Sequence, residues 1–129
     1  MELLVCVKQV PDDSVAVTLD ANGAPKVAEI TPVVNAFDTY ALEMAARFKE
    51  ANGGSVTVLS VGGEEVVPSL RSCLAVGADH ASRLSGTAPS DCGGIAYLLA
   101  QAAGKAGEQP FDIIFCGSES TDSADCQVG

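Results

Sequence analysis

Tryptophan is absent from the chain, aromatic residues make up only 5% of it, and histidine occurs once. Bases are also scarce, seven Lys and Arg against 17 Asp and Glu, for a formal net charge of −10. A single-strand nucleic-acid platform needs stacking rings on a basic face, and an acidic surface repels phosphate backbones and anionic membranes alike. Neither a nucleic acid nor a membrane is therefore an expected partner. The five cysteines (Cys6, Cys73, Cys92, Cys116 and Cys126) are odd in number and contain no Cys-x-x-Cys pair, so neither a disulfide framework nor a zinc site is signalled. Cys6 and Cys116 fall inside apolar runs and read as small hydrophobes, which points to a reducing compartment. With no charged leader and no continuous apolar stretch long enough to cross a bilayer, the chain is expected to be cytoplasmic.

Catalytic signatures are missing too. Gly62-Gly63 lacks the third glycine of a dinucleotide loop, nothing matches the Gly-Lys-Ser/Thr phosphate loop, and no Gly-x-Ser-x-Gly elbow is present. His80 stands alone at a strand edge and reads as structural. Asp12-Asp13 resembles the acid pair of receiver domains, but Val61, Leu84 and Cys116 stand at or beside the strand ends where the further acceptor Asp and Lys would be needed. The chain is expected to bind or carry rather than catalyse.

What is present is alternation of apolar strands with helical stripes over 129 residues, enough for one domain spanning 1–129. Leu3 to Val7 is a continuous apolar run of the kind covered on both faces in parallel sheets, and the strand is expected from Glu2 to Gln9. Val15, Val17 and Leu19, then Lys26 to Ile30 across Asp20-Ala-Asn22-Gly23, suggest a decorating hairpin. Asn35 with Asp38 is the expected cap of a helix through about Asn52, its apolar stripe Ala41, Met44, Ala45 and Phe48, its stop Gly53-Gly54. A strand from Ser55 to Val61 follows, then a stripe of Val67, Leu70 and Leu74 closed by Gly77. A weaker strand at about Ala81 to Leu84 precedes a third helix capped by Ser90 or Asp91 and carrying Ile95, Leu98, Leu99 and Ala102. The last strand lies between Phe111 and Cys116. Right-handed crossovers of this kind predict a three-layer αβα, doubly wound and mainly parallel sheet, Rossmann-like and truncated before its last elements.

In such a sheet, ligands bind where strands end, near the switch in strand order. The final strand runs into the polar, acid-bearing loop Gly117 to Gly129, a loop that normally delivers a helix start whose N–H groups face a phosphate. The receiving helix would begin where the sequence ends, so the chain is expected to be the N-terminal part of a longer protein.

Four separated segments carry a family pattern: Leu4-Val-Cys6-Val-Lys8-Gln9-Val10-Pro11, Asn35-Ala-Phe-Asp38 before Ala41-Leu-Glu43, Leu74-Ala-Val-Gly77-Ala-Asp79, and Cys116-Gly117 through Asp122 to Gln127-Val-Gly129. In order and spacing they resemble the β subunits of electron transfer flavoproteins over the whole chain. The resemblance implies a heterodimer in which an FAD-binding α subunit carries the redox flavin and accepts electrons from acyl-CoA or other dehydrogenases. The β subunit would hold AMP, or FAD in electron-bifurcating members. By position, Cys6 would line the nucleotide from the first strand, Asn35, Ala36, Phe37 and Asp38 from the helix start, and Val61 from the neighbouring strand end. Gly117, Ser118, Glu119, Ser120, Thr121, Asp122, Ser123, Ala124, Asp125, Cys126, Gln127 and Val128 would wrap ribose and phosphate, with Ser123, Cys126, Gln127 and Val128 nearest the phosphate.

Departures from that pattern are visible: Ser118-Glu119 stands where a basic residue and Gln are common, Ala36 replaces a frequent Pro, and Asp125 is displaced by one place. With the helix beyond Gly129 missing, the loop is expected to be loose and AMP or flavin binding weak or absent in this chain alone. The exposed sheet edge and partner face predict self-association. The rival reading is a stand-alone AMP- or ATP-binding stress-type domain of similar fold without a redox role.

Overall fold

The computed structural model describes residues 1–86, 89, 91–105 and 110–129. Its centre is β1 (Glu2–Cys6), where Leu3, Leu4 and Val5 are all fully buried. The apolar run is continuous because both of its edges and both of its faces are occupied. On one side lies β4 (Ser55–Val61), with Cys6 opposite Leu59. On the other lies β6 (Ile113–Cys116), with Cys6 opposite Cys116. β5 (His80–Leu84) adds to the far side of β4, so the described sheet runs β5-β4-β1-β6 with every pairing parallel. The expected three-layer, Rossmann-like α/β architecture is the one observed.

The first strand is shorter than expected. After Cys6 the chain leaves the main sheet, and Gln9–Pro11 (β2) pairs antiparallel with Pro32–Val34 (β3). Between them the anticipated hairpin is present in short form: Leu19 bridges Pro25 antiparallel, Asp20 N donates to Ala24 O and Lys26 N to Thr18 O, and Val27–Glu29 forms a 3-10 turn rather than continuing the strand. Val15, Val17 and Leu19 stay exposed, because alternation alone gives a ribbon no buried face to pack on. Asp12, expected to bear no receiver-type role, accepts from the Ser14 amide and hydroxyl in a local turn.

Helices α1 (Ala36–Asn52) and α2 (Val67–Val76) cover one face, with Leu3, Val5, Val56 and Val58 facing Ala41, Leu42, Ala45, Leu70 and Cys73. The stripes are rotated from those expected. Leu42 and Ala46 are buried while Met44 is 61% exposed; on α2, Leu70 and Cys73 are buried while Leu74 is exposed. On both helices the buried arc follows the position of the sheet rather than the bulkiest residues. Gly53 and Gly77 end them as expected, each donating its N–H to the helix's last turn.

Helix α3 (Cys92–Ala103) covers the opposite face, burying Leu99 and Ala102 over Leu4, Cys6 and Leu59. Its cap is Asp91, whose carboxylate accepts from Gly94 N at 2.8 Å; Ser90, the alternative cap, lies outside the described residues. The amino edge of the sheet is closed by reciprocal bonds. Ser55 N donates to Met1 O, Glu2 N to Asp112 Oδ2, and Val56 N to Asp79 Oδ2, with Lys49 Nζ 3.0 Å from Asp79.

Candidate functional site

At the opposite, carboxyl edge the strand ends part around a cavity of about 490 Å³, within the roughly 300–1,000 Å³ of small-molecule sites. Cys6, Asn35, Asp38, Val61, Gly117, Ser118, Glu119, Ser120, Ser123, Asp125, Cys126, Gln127 and Val128 all line it. Ala36, Phe37, Thr121, Asp122 and Ala124 do not line it, although they lie in the segments that form its wall. Lys8, Gln9, Glu65, Asp91, Cys92 and Cys116 also face it and were not singled out as site residues. Lys8 and Gln9 lie in the stretch expected as the end of the first strand, and their position just past Cys6 was the available signal. Asp91 and Cys92 had no signal, since only the crossover brings the α3 start over this edge.

The wall is built by long-range bonds rather than by the local cap anticipated at Asn35. Asn35 is 1% exposed and its side chain does not cap α1. Its Nδ2 instead donates to the Glu119 carbonyl at 2.8 Å, and its Oδ1 accepts from Thr121 N at 3.1 Å. A buried amide must find partners for both ends, and the loop's backbone offers both where the local turn offers one. Asp38 accepts from Lys8 N at 2.8 Å. Burial pushes its carboxyl upward from the ordinary value, against the N–H groups of Lys8 and Gly117 and the Asn35 amide, which favour its charge. Gly117 is required by closeness: a Cβ there would collide with the Asp38 carboxylate and sit 2.9 Å from the Phe37 backbone.

The loop after Gly117 is held along its first half. Lys8 Nζ donates to Asp122 Oδ1 at 2.6 Å and to Ser120 Oγ at 3.3 Å, and Ala124 N closes a turn on Ser120 O. Partial burial raises the cost of charge on Asp122, but the Lys8 ammonium and Ser120 hydroxyl outweigh it and hold the carboxyl below its usual range. Cys92 Sγ donates to Asp125 Oδ2 at 3.1 Å and ties the α3 start to the same loop. Together with the Asn35 bonds, these contacts tie residues 119–125 to Lys8, Asn35 and Cys92. Ala124 and Cys126 take φ of 53° and 54°, the left-handed region unusual for residues with a Cβ. Backbone held that way at about 1 kcal/mol or more apiece is found where a loop is shaped for a task.

In the floor, Cys6 and Cys116 sit side by side on adjacent strands. Cys116 is lowered to about 7 because the neighbouring Cys6 thiol donates a hydrogen bond that stabilises its thiolate, against the opposing effect of burial; Cys6 is raised by the same partnership and by burial. Acid or base chemistry has no His to use here, and the groups present suit binding through backbone N–H, one ammonium and polar side chains.

A parallel α/β sheet with its cavity at the carboxyl edge, walled by the loop after the last described strand, defines a Rossmann-like α/β domain. Residues 12–128 match the electron transfer flavoprotein domain. The chain belongs to that family. It is 40% identical over its whole length to the electron transfer flavoprotein subunit beta of Thermoanaerobacterium thermosaccharolyticum, and 41% identical to that of Megasphaera elsdenii, covering 49% and 50% of those proteins. It is also 34% identical to the acryloyl-CoA reductase electron transfer subunit gamma of Anaerotignum propionicum, again over the whole chain and 49% of the relative. The chain thus spans about half the length of the curated relatives it matches. No helix among the described residues is long and apolar enough to cross a membrane.

Proposed function

We propose that the carboxyl-edge cavity holds an adenine nucleotide, AMP or the adenylate half of FAD, as part of a β-type electron transfer subunit that works with an FAD-bearing α partner in the cytoplasm. Electrons from an acyl-CoA or similar dehydrogenase would pass through the partner's flavin. To that electron path this chain would contribute binding and shape. The observation that carries the reading is the convergence of Asn35, Lys8 and the Gly117–Val128 loop on one cavity in a chain of this family. Cys6, Val61 and the apolar side chains of α3 would meet the base, while Ser123, Cys126, Gln127 and Val128 would offer polar groups to ribose and phosphate. The acidic wall leaves Lys8 as the only described cation lining the cavity, so phosphate affinity would rest on N–H donors. The test is a chemical-shift titration of the chain with AMP and with FAD, which localises binding even when it is weak. Shifts centred on Cys6, Asn35 and residues 117–128 are expected. Shifts confined to another surface, or none with either ligand at millimolar concentration, would overturn the proposal.

A further inference from the structure

We propose that Cys6 and Cys116 form a redox-active dithiol in the cavity floor, oxidised reversibly to a disulfide by low-molecular-weight disulfides. The two residues are exact partners in the parallel ladder between β1 and β6, and their side chains fall on the same face of the sheet, in the cluster under α3. Adjacent strands lie about 4.8 Å apart, inside the Cα window of roughly 4.4–6.8 Å in which disulfides form. Both thiols are free, and both line the cavity, so a small reagent reaches them from the open edge. Among the described residues no third His, Cys, Asp or Glu joins them in an arrangement that would hold a metal.

The pair also divides the two roles that thiol–disulfide exchange requires. Cys116, half-buried and lowered to about 7 by the neighbouring thiol, is the sulfur of the pair that ionises first and supplies the thiolate. Its thiolate attacks one sulfur of RSSR, forming Cys116–S–S–R and releasing RS⁻. Cys6 then passes its proton to that RS⁻ and attacks the Cys116 sulfur, forming the Cys6–Cys116 bond and expelling the second RS⁻. Two electrons leave the protein thiols, and one RSSR becomes one RSH and one RS⁻. Parallel Cβ positions stay near the strand spacing, wider than the roughly 3.5–4.5 Å that disulfides prefer, so the bond is strained and easily reduced. Strained bonds of this kind are the labile, regulatory ones.

The test contains no nucleotide, so its outcome is separate from that of the binding proposal. In a Cys92→Ser/Cys126→Ser background the chain keeps three thiols, Cys6, Cys73 and Cys116. After treatment with oxidised glutathione and denaturation, one titratable thiol is expected to remain, with peptide mapping showing a Cys6–Cys116 link that dithiothreitol removes. Mapping of the unaltered chain gives the same link if the background variant folds poorly. A Cys6→Ala variant should instead accumulate the mixed disulfide at Cys116. Its Cys116 alkylation profile should also move upward from a midpoint near 7, with Asp38 the other charged group acting on that sulfur. A lasting glutathione adduct on Cys116 of the unaltered chain, a link to Cys73 instead, or three unreacted thiols would each overturn the proposal.

Discussion

The two faces of the sheet are built differently, and the contrast explains where function can sit. Beneath α1 and α2, twelve described residues form one buried cluster of Leu, Val, Ala and Cys73. Beneath α3, five do: Leu4, Cys6, Leu59, Leu99 and Ala102. The first face is sealed against water along its length. The second thins toward the carboxyl edge, where its sulfurs and the ends of β1, β4 and β6 open into the cavity. A doubly wound sheet is covered on both faces and opens only at its carboxyl edge, and here the thinner face is the one that borders that opening. Dividing the tasks gives stability to one face and access to the other.

The sharpest test of that contrast is a pair of equal truncations. Leu42→Ala, at 2% exposure on the sealed face, should destabilise by about 3–4 kcal/mol, and Leu99→Ala, at 9% beside the cavity, by about 2 kcal/mol, because water and neighbours relax into the gap. Denaturant unfolding of both variants measures it, and equal losses would break the comparison. Next in size is Asn35→Ala, which leaves the Glu119 carbonyl and the Thr121 amide without their buried partner. A loss of about 2 kcal/mol is expected, with hydrogen exchange accelerated at Thr121 and little changed in β4.

Asp38→Asn concerns the seam between the faces and should cost about 1 kcal/mol near neutral pH, since the amide can still accept from one backbone N–H but not from both. Its signature is in pH dependence. The folded carboxyl titrates above its unfolded value, so between the two values the folded state binds more protons and stability falls as pH rises. The variant should lose that slope, while Asp79 and Asp122, both lowered, still make the protein less stable as pH falls below the usual carboxylate range. Stability curves of both proteins across acid pH decide this, and an unchanged slope in the variant would contradict it. The smallest effect is expected from Lys8→Gln. An ion pair this open to solvent contributes about 0.5 kcal/mol, so thermal stability should barely move. Shifts on AMP addition should nevertheless weaken, and unaltered AMP binding would remove Lys8 from the site.

Much of the fold was legible locally. The run from Leu3 to Val7, the strand from Ser55 to Val61 and the glycine stops at Gly53 and Gly77 follow from periodicity and turn chemistry, which act within a few residues. The failures have a common cause. Met44 was read as inward and Asn35 as a cap because each fits its own helix; the sheet turned α1 to bury Leu42 and Ala46, and a loop more than 80 residues away took the Asn35 amide. The excursion of residues 12–31 alternated like a hairpin but had nothing to lie against.

The same division runs through the site. By itself the sequence determined an alternating α/β chain with a polar, acid-bearing loop after its last strand, and its four separated segments already carried the family. Only the tertiary structure decided that β1 lies between β4 and β6. That strand order sets Cys6 beside Cys116, brings Asp91 and Cys92 over the edge, and lets Lys8 reach Asp122. The physical reason is range: propensity and periodicity act over one or two turns of chain, whereas which strand ends meet depends on how crossovers pack across the whole sheet.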